Sequence, residues 1–424
     1  MEPQKRKKII YILLISIIML AFLLRGAFFI KNLHNFNISG DARNYHLMSR
    51  QLVDKGIFGY WYEGNPHGGK AGVSNARVTP GYPFFLGGIY YIFHDQYLSI
   101  TVARLMQVII GALTPLLAFM FVRRLFKRNL AGLIAAFFTA VYPSYILSPI
   151  YLLTEVLALA TMLAYFYLTL IGLQKKKAYL NILAGAMFAV HILIRPAMLP
   201  LFVVPYIYAF IIWDKEHKNQ VFKYFFQAAG AFVVLMIPWW VRNYLVLGSF
   251  ILTANASGNP LLGGTYPYMK DLMKDVPEKI KGLSNPQADF AKERIIKGFT
   301  TEPLLYFKWY TIGKTEYMFD KPWLYYALPQ IRLFNLLILQ AASMTIHYFL
   351  LIVGVAGVII NSIFSKVSRF VNIYAIIFLG LYLIFIPDNR YAYQHMFFLI
   401  MAAAYLACLL YDFLRKKLVV KVTG

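Results

Sequence analysis

The segment Ser39–Pro83 reads SGDARNYHLMSRQLVDKGIFGYWYEGNPHGGKAGVSNARVTPGYP, and the rest of the chain is organised around it. It is the most polar long stretch in the first half of an otherwise apolar sequence. The hydrophobic run Ile9–Ile30 precedes it, Asp41 stands at the start of a predicted helix, and Arg77 and a Pro-Gly-Tyr-Pro turn close it. Tyr45, Met48 and Leu52 recur at i, i+3 and i+7. Asp41–Lys55 is therefore predicted to be an amphipathic helix lying on a membrane surface, ended by Gly56. Residues 59–76, rich in Gly, Asn and His, read as a loop. One carboxylate at a helix start, followed by a basic residue before a rigid turn, reads as the reactive floor of a membrane enzyme with Asp41 at its centre.

Composition sets the class. Of 424 residues, 60% are apolar and 14% charged. Uncharged segments of about 20 residues, enough to cross a bilayer core as a helix, recur along the chain. The fold class is therefore an all-α polytopic membrane protein. The formal charge of +24 lies largely in short clusters between apolar runs, as in Lys5–Lys8, Arg123–Arg128 and Lys175–Lys177. That is the signature of cytoplasmic loops, so the expected partners are membrane lipids and not nucleic acid, which needs a solvated basic face. The single cysteine, Cys408, allows no disulfide within the chain. Ile9–Ile30 is longer than a signal-peptide core and no small-x-small cleavage site follows, so it reads as a retained first span.

The basic N-terminus places the first span's start in the cytoplasm and Ser39–Pro83 outside. Residues 81–93 are too short to span. If they crossed, Arg123, Arg124, Lys127 and Arg128 would fall outside, so they read as an interfacial or re-entrant helix. The remaining spans are predicted at Ser99–Val122, Leu130–Leu147, Ile150–Leu173, Tyr179–Ile194, Ala197–Trp213, Phe222–Val241, Thr345–Phe364, a segment reaching Pro387, and Phe397–Phe413. About ten spans with both termini cytoplasmic give every short inner loop a basic excess. The organisation is a transmembrane core over residues 1–242 with a catalytic first outer loop (31–98). An extracytoplasmic segment (243–343) follows, with turn signals at SGNP, GGTYP and SNPQ, and then C-terminal spans (344–424). The compartment read from this pattern is the plasma (inner) membrane, with the active site extracytoplasmic.

In this topology the ionisable residues near the spans gather on one side. Asp41 and Arg77 lie in the first outer loop, and Glu155, Arg195, Arg242, Arg390 and Arg104 lie near outer span ends. Several arginines facing two carboxylates suit the holding of a phosphate while a carboxylate moves a proton. Structural roles compete with this reading. Arg195 and Arg242 can snorkel to headgroups, Arg104 and Glu155 can form an ion pair in the bundle, and Asp41 can cap its helix. His191 and His347, on apolar spans, read as interhelical hydrogen-bonders. His46, His67 and His94 show no metal-like spacing with carboxylates, so no metal ligand is assigned, and a divalent cation stays open without support.

The pieces DARNYHLMSRQLVDKGIF, RVTPGYPFFL, ARLMQVIIGALTPLLAFMFVRRLF, LLTEVL, PWWVRNY and RYAYQHMFFLI, in this order and spacing, resemble the GT-C glycosyltransferase superfamily. The likeness is to its bacterial members related to protein O-mannosyltransferases and the aminoarabinose transferase of lipid A. The resemblance implies a GT-C-type bundle with outer-face juxtamembrane helices and a helical outer loop. It also implies sugar transfer from a polyprenyl-phosphate donor to an acceptor on the outer face. It maps the general base onto Asp41 and a lipid-phosphate contact onto Arg77, where some relatives have lysine. The chain has fewer spans than the larger relatives and no sizeable soluble domain after them, so the acceptor, whether glycan, lipid or protein, is not carried over.

Asp41 is thus read as base, Arg77 and Arg390 as the stronger phosphate contacts, and Arg195, Arg242 and Arg104 as weaker ones. Glu155 would orient the sugar or acceptor or tune an arginine, and Tyr82, Tyr391 and His46 are further substrate contacts. The alternatives are a transporter or flippase of lipid-linked sugars, and an outer-face glycan polymerase or ligase. A transporter is expected to show Gly/Pro-broken spans at matching places in two halves, and this sequence shows no such symmetry.

Overall fold

A computed structural model describes residues 3–36, 38–61, 69–212, 215–256, 258–281, 283–325 and 336–423. Most of these residues are helical, and there is no strand among them. The helices, in order, are α1 (Pro3–Lys31), α2 (Gly40–Lys55), α3 (Gly81–Ile92), α4 (Gln96–Phe126), α5 (Asn129–Val141), α6 (Pro143–Leu147), α7 (Glu155–Lys175), α8 (Ala178–Ile194) and α9 (Val204–Ile212). They continue with α10 (Lys215–Leu247), α11 (Gly258–Gly263), α12 (Ser284–Thr301), α13 (Pro303–Lys308), α14 (Lys314–Phe319), α15 (Leu336–Phe364), α16 (Lys366–Leu383) and α17 (Ala392–Thr423).

Among the described residues, seven helices are long and apolar enough to cross a membrane, and a pair bent by 60°, Asn129–Val141 with Pro143–Ile150, makes an eighth crossing if it is one span. The apolar segments Ala178–Ile194 and Pro196–Ile212 are shorter. The predicted spans fall on helices, but seven or eight crossings stand in place of the expected ten, because Tyr179–Ile194 and Ala197–Trp213 fall on these two shorter segments, and Trp213 itself lies outside the described residues. The protein is an all-α polytopic membrane protein. Small residues let the helices approach closely: a Cβ on Gly185 of α8 would meet the Ala228 carbonyl of α10 at 1.9 Å, and one on Gly357 of α15 the Ala402 carbonyl of α17 at 2.6 Å.

The bend after α5 has a local cause. Pro143 has no amide to offer the Thr139 carbonyl, so the helix stops and turns. The orphaned carbonyls of Thr139 and Ala140 accept hydrogen bonds at 3.1 and 3.0 Å from Arg25 of α1, whose side chain is buried in the bundle. Sequence reasoning left Arg25 inside the first span without a role. Arg25→Met is expected to lower the thermal midpoint of the detergent-solubilised protein, because each buried carbonyl left without a donor costs about 1–3 kcal/mol. An unchanged midpoint would show that the bend is held without it.

Two short helices prepare the site. α2 ends where predicted and begins one residue earlier, at Gly40, and Gly56 closes it in the left-handed conformation (φ 66°) that a C-terminal glycine adopts readily. α3, the segment too short to span, packs beside it. In the outer segment the turns read at SNPQ and around SGNP are corrected: Ser284–Gln287 opens α12 and Gly258–Pro260 opens α11. A proline is tolerated in a first helical turn, where the amides have no intrahelical acceptor. Ser257 lies outside the described residues. α10 also runs five residues past Arg242, to Leu247, instead of ending there.

Candidate active site

Asp41 sits in the first turn of α2, where the positive end of the helix dipole favours a carboxylate. It is not the cap, which is Ser39, and its carboxylate is spent on tertiary partners. One oxygen accepts from Arg390 Nη1 at 2.6 Å and the other from the Tyr60 hydroxyl at 3.2 Å. The side chain remains 52% exposed, so a substrate can reach it. Asn44, one helical turn on, donates to the Tyr60 hydroxyl at 2.8 Å and fixes its direction. Burial, with the Asp41 charge, pushes the Tyr60 phenol above its ordinary value, so it stays a proton donor to the carboxylate.

Glu155, at the first residue of α7, is fully buried and faces two guanidinium groups. Arg195, between α8 and the next turn, donates to it at 2.7 Å and to the Tyr382 hydroxyl at 3.0 Å. Arg390 donates to Glu155 through Nε and, at 3.3 Å, through Nη2 while its remaining Nη1 holds Asp41. Arg390 therefore lies between the two carboxylates. Rings cover the arginines: Tyr391 and Tyr382 lie 5.6 and 5.8 Å from the Arg195 guanidinium, and Trp323 lies 5.9 Å from that of Arg390. Four elements distant in sequence thus meet, bringing together Asp41, Glu155, Arg195, Arg390 and Tyr391.

The turn that presents Arg390 is latched by the outer segment. Asn389 donates to the Tyr317 carbonyl at 3.0 Å, and the Ile386 amide donates to the Pro260 carbonyl at 2.8 Å. Lys314 Nζ donates to the Leu383 carbonyl at 2.8 Å, and burial pushes its amine down to about 6. Leu383 needs this donor because the residue four positions on is Pro387.

Arg77 is half-buried, and burial lowers its guanidinium, with Tyr60 as the neighbour that opposes the shift. The segment carrying it is tied to Tyr60 through Asn75, whose side chain accepts from the Tyr60 and Arg77 amides at 3.0 and 3.2 Å. Arg242 clamps the same loop, donating to the carbonyls of Phe58 at 2.8 Å and Asn75 at 3.0 Å. It borders an apolar cavity of about 720 Å³ between α3, α8 and α10, lined by Phe58, Phe84, Leu157, Ile194 and Trp239. Ile194 adjoins Arg195 in the chain and Leu157 is two residues from Glu155, so the cavity reaches toward the charged cluster.

Three predicted contacts lie apart from this cluster. Arg104 donates to the Asn35 carbonyl at 2.8 Å and the Asn32 carbonyl at 3.5 Å, closing the chain after α1. Its expected ion pair with Glu155 is replaced by the Arg195 and Arg390 pairs. Tyr82 is buried behind Tyr45, its hydroxyl donating to Gln107 at 3.0 Å. His46 sits on the opposite side of α2, 2.9 Å from the Tyr90 hydroxyl, and burial with the neighbouring Arg50 charge pushes it down to about 4. His191 and His347 do hydrogen-bond between helices, to Thr161 at 3.0 Å and Tyr142 at 2.9 Å. Among the described residues no group of three or more His, Cys, Asp or Glu side chains could hold a metal, and His67 lies outside them. Sequence reasoning missed Tyr60, Asn44, Tyr382 and Trp323. Each is an ordinary residue in an aromatic-rich chain, and only the tertiary fold brings it to the cluster.

Residues 77–241, which include Arg77, Glu155 and Arg195, match the family model described as dolichyl-phosphate-mannose-protein mannosyltransferase. No curated protein matches the chain in sequence. The archaeal oligosaccharyltransferase AglB from Archaeoglobus fulgidus, solved with an inhibitory peptide and a dolichol-phosphate, is similar over 97% of this chain and 52% of its own, with a TM-score of 0.57 at 15% identity. Its apo form gives 0.56 over the same shares at the same identity. ArnT from Cupriavidus metallidurans, bound to undecaprenyl phosphate, aligns over 91% of this chain and 77% of its own at 15% identity, with a TM-score of only 0.43. The chain spans about half the length of the AglB structures, and the likeness to them is one of fold. Residues 77–241 thus carry the pattern of the mannosyltransferase family model, and the chain shares its fold along nearly its whole length with the AglB structures.

Proposed function

We propose that the protein transfers a sugar from a polyprenyl-phosphate donor to an acceptor hydroxyl on a glycan, lipid or protein, at the extracytoplasmic face of the plasma membrane, with both termini cytoplasmic. The observation that carries this reading is the buried Glu155 holding two arginines, one of which also reaches the accessible Asp41. Such an arrangement can take a phosphate on the guanidinium groups beside a carboxylate free to receive a proton.

In the reaction, Asp41 removes the proton of the acceptor hydroxyl as its oxygen bonds to the sugar's anomeric carbon. The bond from that carbon to the phosphate oxygen breaks, and polyprenyl phosphate leaves with the electron pair. Arg390, Arg195 and Arg77 stabilise the charge that develops on it, so no general acid is required. Single displacement inverts the anomeric centre. Arg390 holds Asp41 in the structure described here, and a donor phosphate that draws Arg390 toward itself frees the base as the donor seats. Glu155, shielded behind the arginines, acts by positioning them. The apolar cavity beside α3, α8 and α10 offers room for part of the polyprenyl chain. The dolichol-phosphate in the AglB structure and the family model's description support a lipid-phosphate donor.

The test is incubation of the reconstituted protein with radiolabelled polyprenyl-phosphate monosaccharides and an acceptor-containing membrane extract. Label moving to a non-donor product supports transfer, whereas label crossing the bilayer on intact donor supports transport. Arg77→Ala is expected to raise the donor concentration needed for half-maximal transfer by about tenfold, the effect of losing one charged hydrogen bond, with little change for the acceptor. An equal rise for both would remove Arg77 from the phosphate site.

A further inference from the structure

Two adjoining cavities lie at the end of the bundle remote from Asp41. α7 has 21 residues, so at about 1.5 Å per residue Gln174 stands roughly 30 Å from Glu155. One cavity, about 720 Å³, is lined by Arg123, Arg124 and Lys127 at the end of α4, with Asn129 and Gln174. The other, about 360 Å³ and apolar, runs between α4, α7, α9, α16 and α17 past Phe166, Leu170, Ala209 and Tyr374, and it shares Lys127 and Gln174 with the first.

Two observations at this place point to a ligand. Among the described residues no carboxylate pairs with Arg123, Arg124 or Lys127: Arg124 donates to the neutral Gln174 at 2.5 Å, Arg123 lies 5.5 Å from the Phe119 ring, and the nearby Asp412 is taken by Arg128 at 2.6 Å. Beside them the apolar cavity, which shares Lys127 and Gln174 with the basic one, is walled by Phe166, Leu170, Ala209 and Tyr374 and, among the described residues, has no charged lining residue besides Lys127. A fitting ligand is anionic at one end and long and apolar at the other.

We propose that this is a binding site for an anionic membrane phospholipid. Its phosphate lies on Arg123, Arg124 and Lys127, and one acyl chain enters the apolar cleft. Basic pockets between membrane helices at the cytoplasmic surface recognise lipid headgroups by this combination. Free phosphate would leave the cleft empty, and a zwitterionic lipid would bring its own cation to the arginines. The basic cluster thus has a ligand as well as a topological role.

Native mass spectrometry of the full chain, released from detergent after incubation with equal amounts of phosphatidylglycerol and phosphatidylcholine of matched chains, tests this. The wild type is expected to retain phosphatidylglycerol with at least roughly tenfold preference. The triple variant Arg123→Gln, Arg124→Gln, Lys127→Gln should lose that preference. Leu170→Trp, which fills the cleft and keeps every charge, should lower phosphatidylglycerol retention by a similar factor without disturbing topology. Equal retention of both lipids by the wild type overturns the proposal, as does phosphatidylglycerol retention that survives Leu170→Trp. Displacement by inorganic phosphate alone would reduce the site to an ion site, and preferential capture of undecaprenyl phosphate would make it a second donor site. Either result rejects the assignment.

Discussion

Asp41→Asn is expected to reduce sugar transfer by about 10²- to 10⁴-fold, the usual span for losing a positioned general base. The substitution is close to isosteric. An asparagine carbonyl oxygen still accepts from Tyr60 or Arg390, and the side chain is half exposed, so folding should survive. What disappears is the capacity to take the acceptor's proton. The readout that separates chemistry from architecture is the split between turnover and donor requirement. A base acts on turnover at saturating donor. A carboxylate that only parks Arg390 would, when neutralised, release that arginine and leave turnover standing. Transfer by Asp41→Asn at near the wild-type rate, with donor and acceptor saturating, would remove Asp41 from the chemistry. Tyr60→Phe then serves as the neighbouring control: it removes the hydrogen bond to Asp41 and leaves the carboxylate, so its effect should be much the smaller.

The fold was largely legible because the bilayer imposes few solutions. Hydrophobic length located the apolar helices, though it counted Ala178–Ile194 and Pro196–Ile212 as spans when both are short for a crossing, and residues 81–93 were read as too short to span and form the 12-residue α3. α2 could be read to its last residue because Gly56 marks a helix end by its backbone freedom. The errors lay where a proline opens a helix, as at Pro260 and Pro286, since the same residue also marks turns. The site was legible one charge at a time and not as an assembly. Sorting charges to one side gave Glu155, Arg195 and Arg390 without saying which would pair. Arg104, predicted near Glu155, instead closes the end of α1, because backbone carbonyls left unpaired there compete for a guanidinium as well as a carboxylate does. Arg25 was invisible for the same reason: its partners are the carbonyls freed at Pro143, 114 and 115 residues away.

Glu155→Gln should affect the donor step most strongly, and stability with it. In the wild type, one carboxylate with both oxygens engaged compensates two guanidinium groups that are themselves mostly buried. A neutral amide leaves those charges facing each other. Breaking a buried pair by removing one partner costs about 3–5 kcal/mol, so a marked fall in thermal midpoint is expected. Undecaprenyl phosphate offers the missing negative charge, and adding it should restore more of the midpoint in Glu155→Gln than it adds to the wild type, because ligand that binds only the folded state stabilises it. Transfer should nevertheless stay low, by about 10²-fold or more, since arginines re-centred on the phosphate without Glu155 behind them no longer hold the anomeric carbon in line with Asp41. Glu155→Asp keeps the charge but shortens the side chain by one methylene. It should recover most of the stability and only part of the transfer. If the lipid shifts both midpoints equally while Glu155→Gln transfers normally, Arg195 and Arg390 are structural and the phosphate is held elsewhere. A larger shift in the variant, joined to lost transfer, assigns the arginines to the phosphate and Glu155 to their placement.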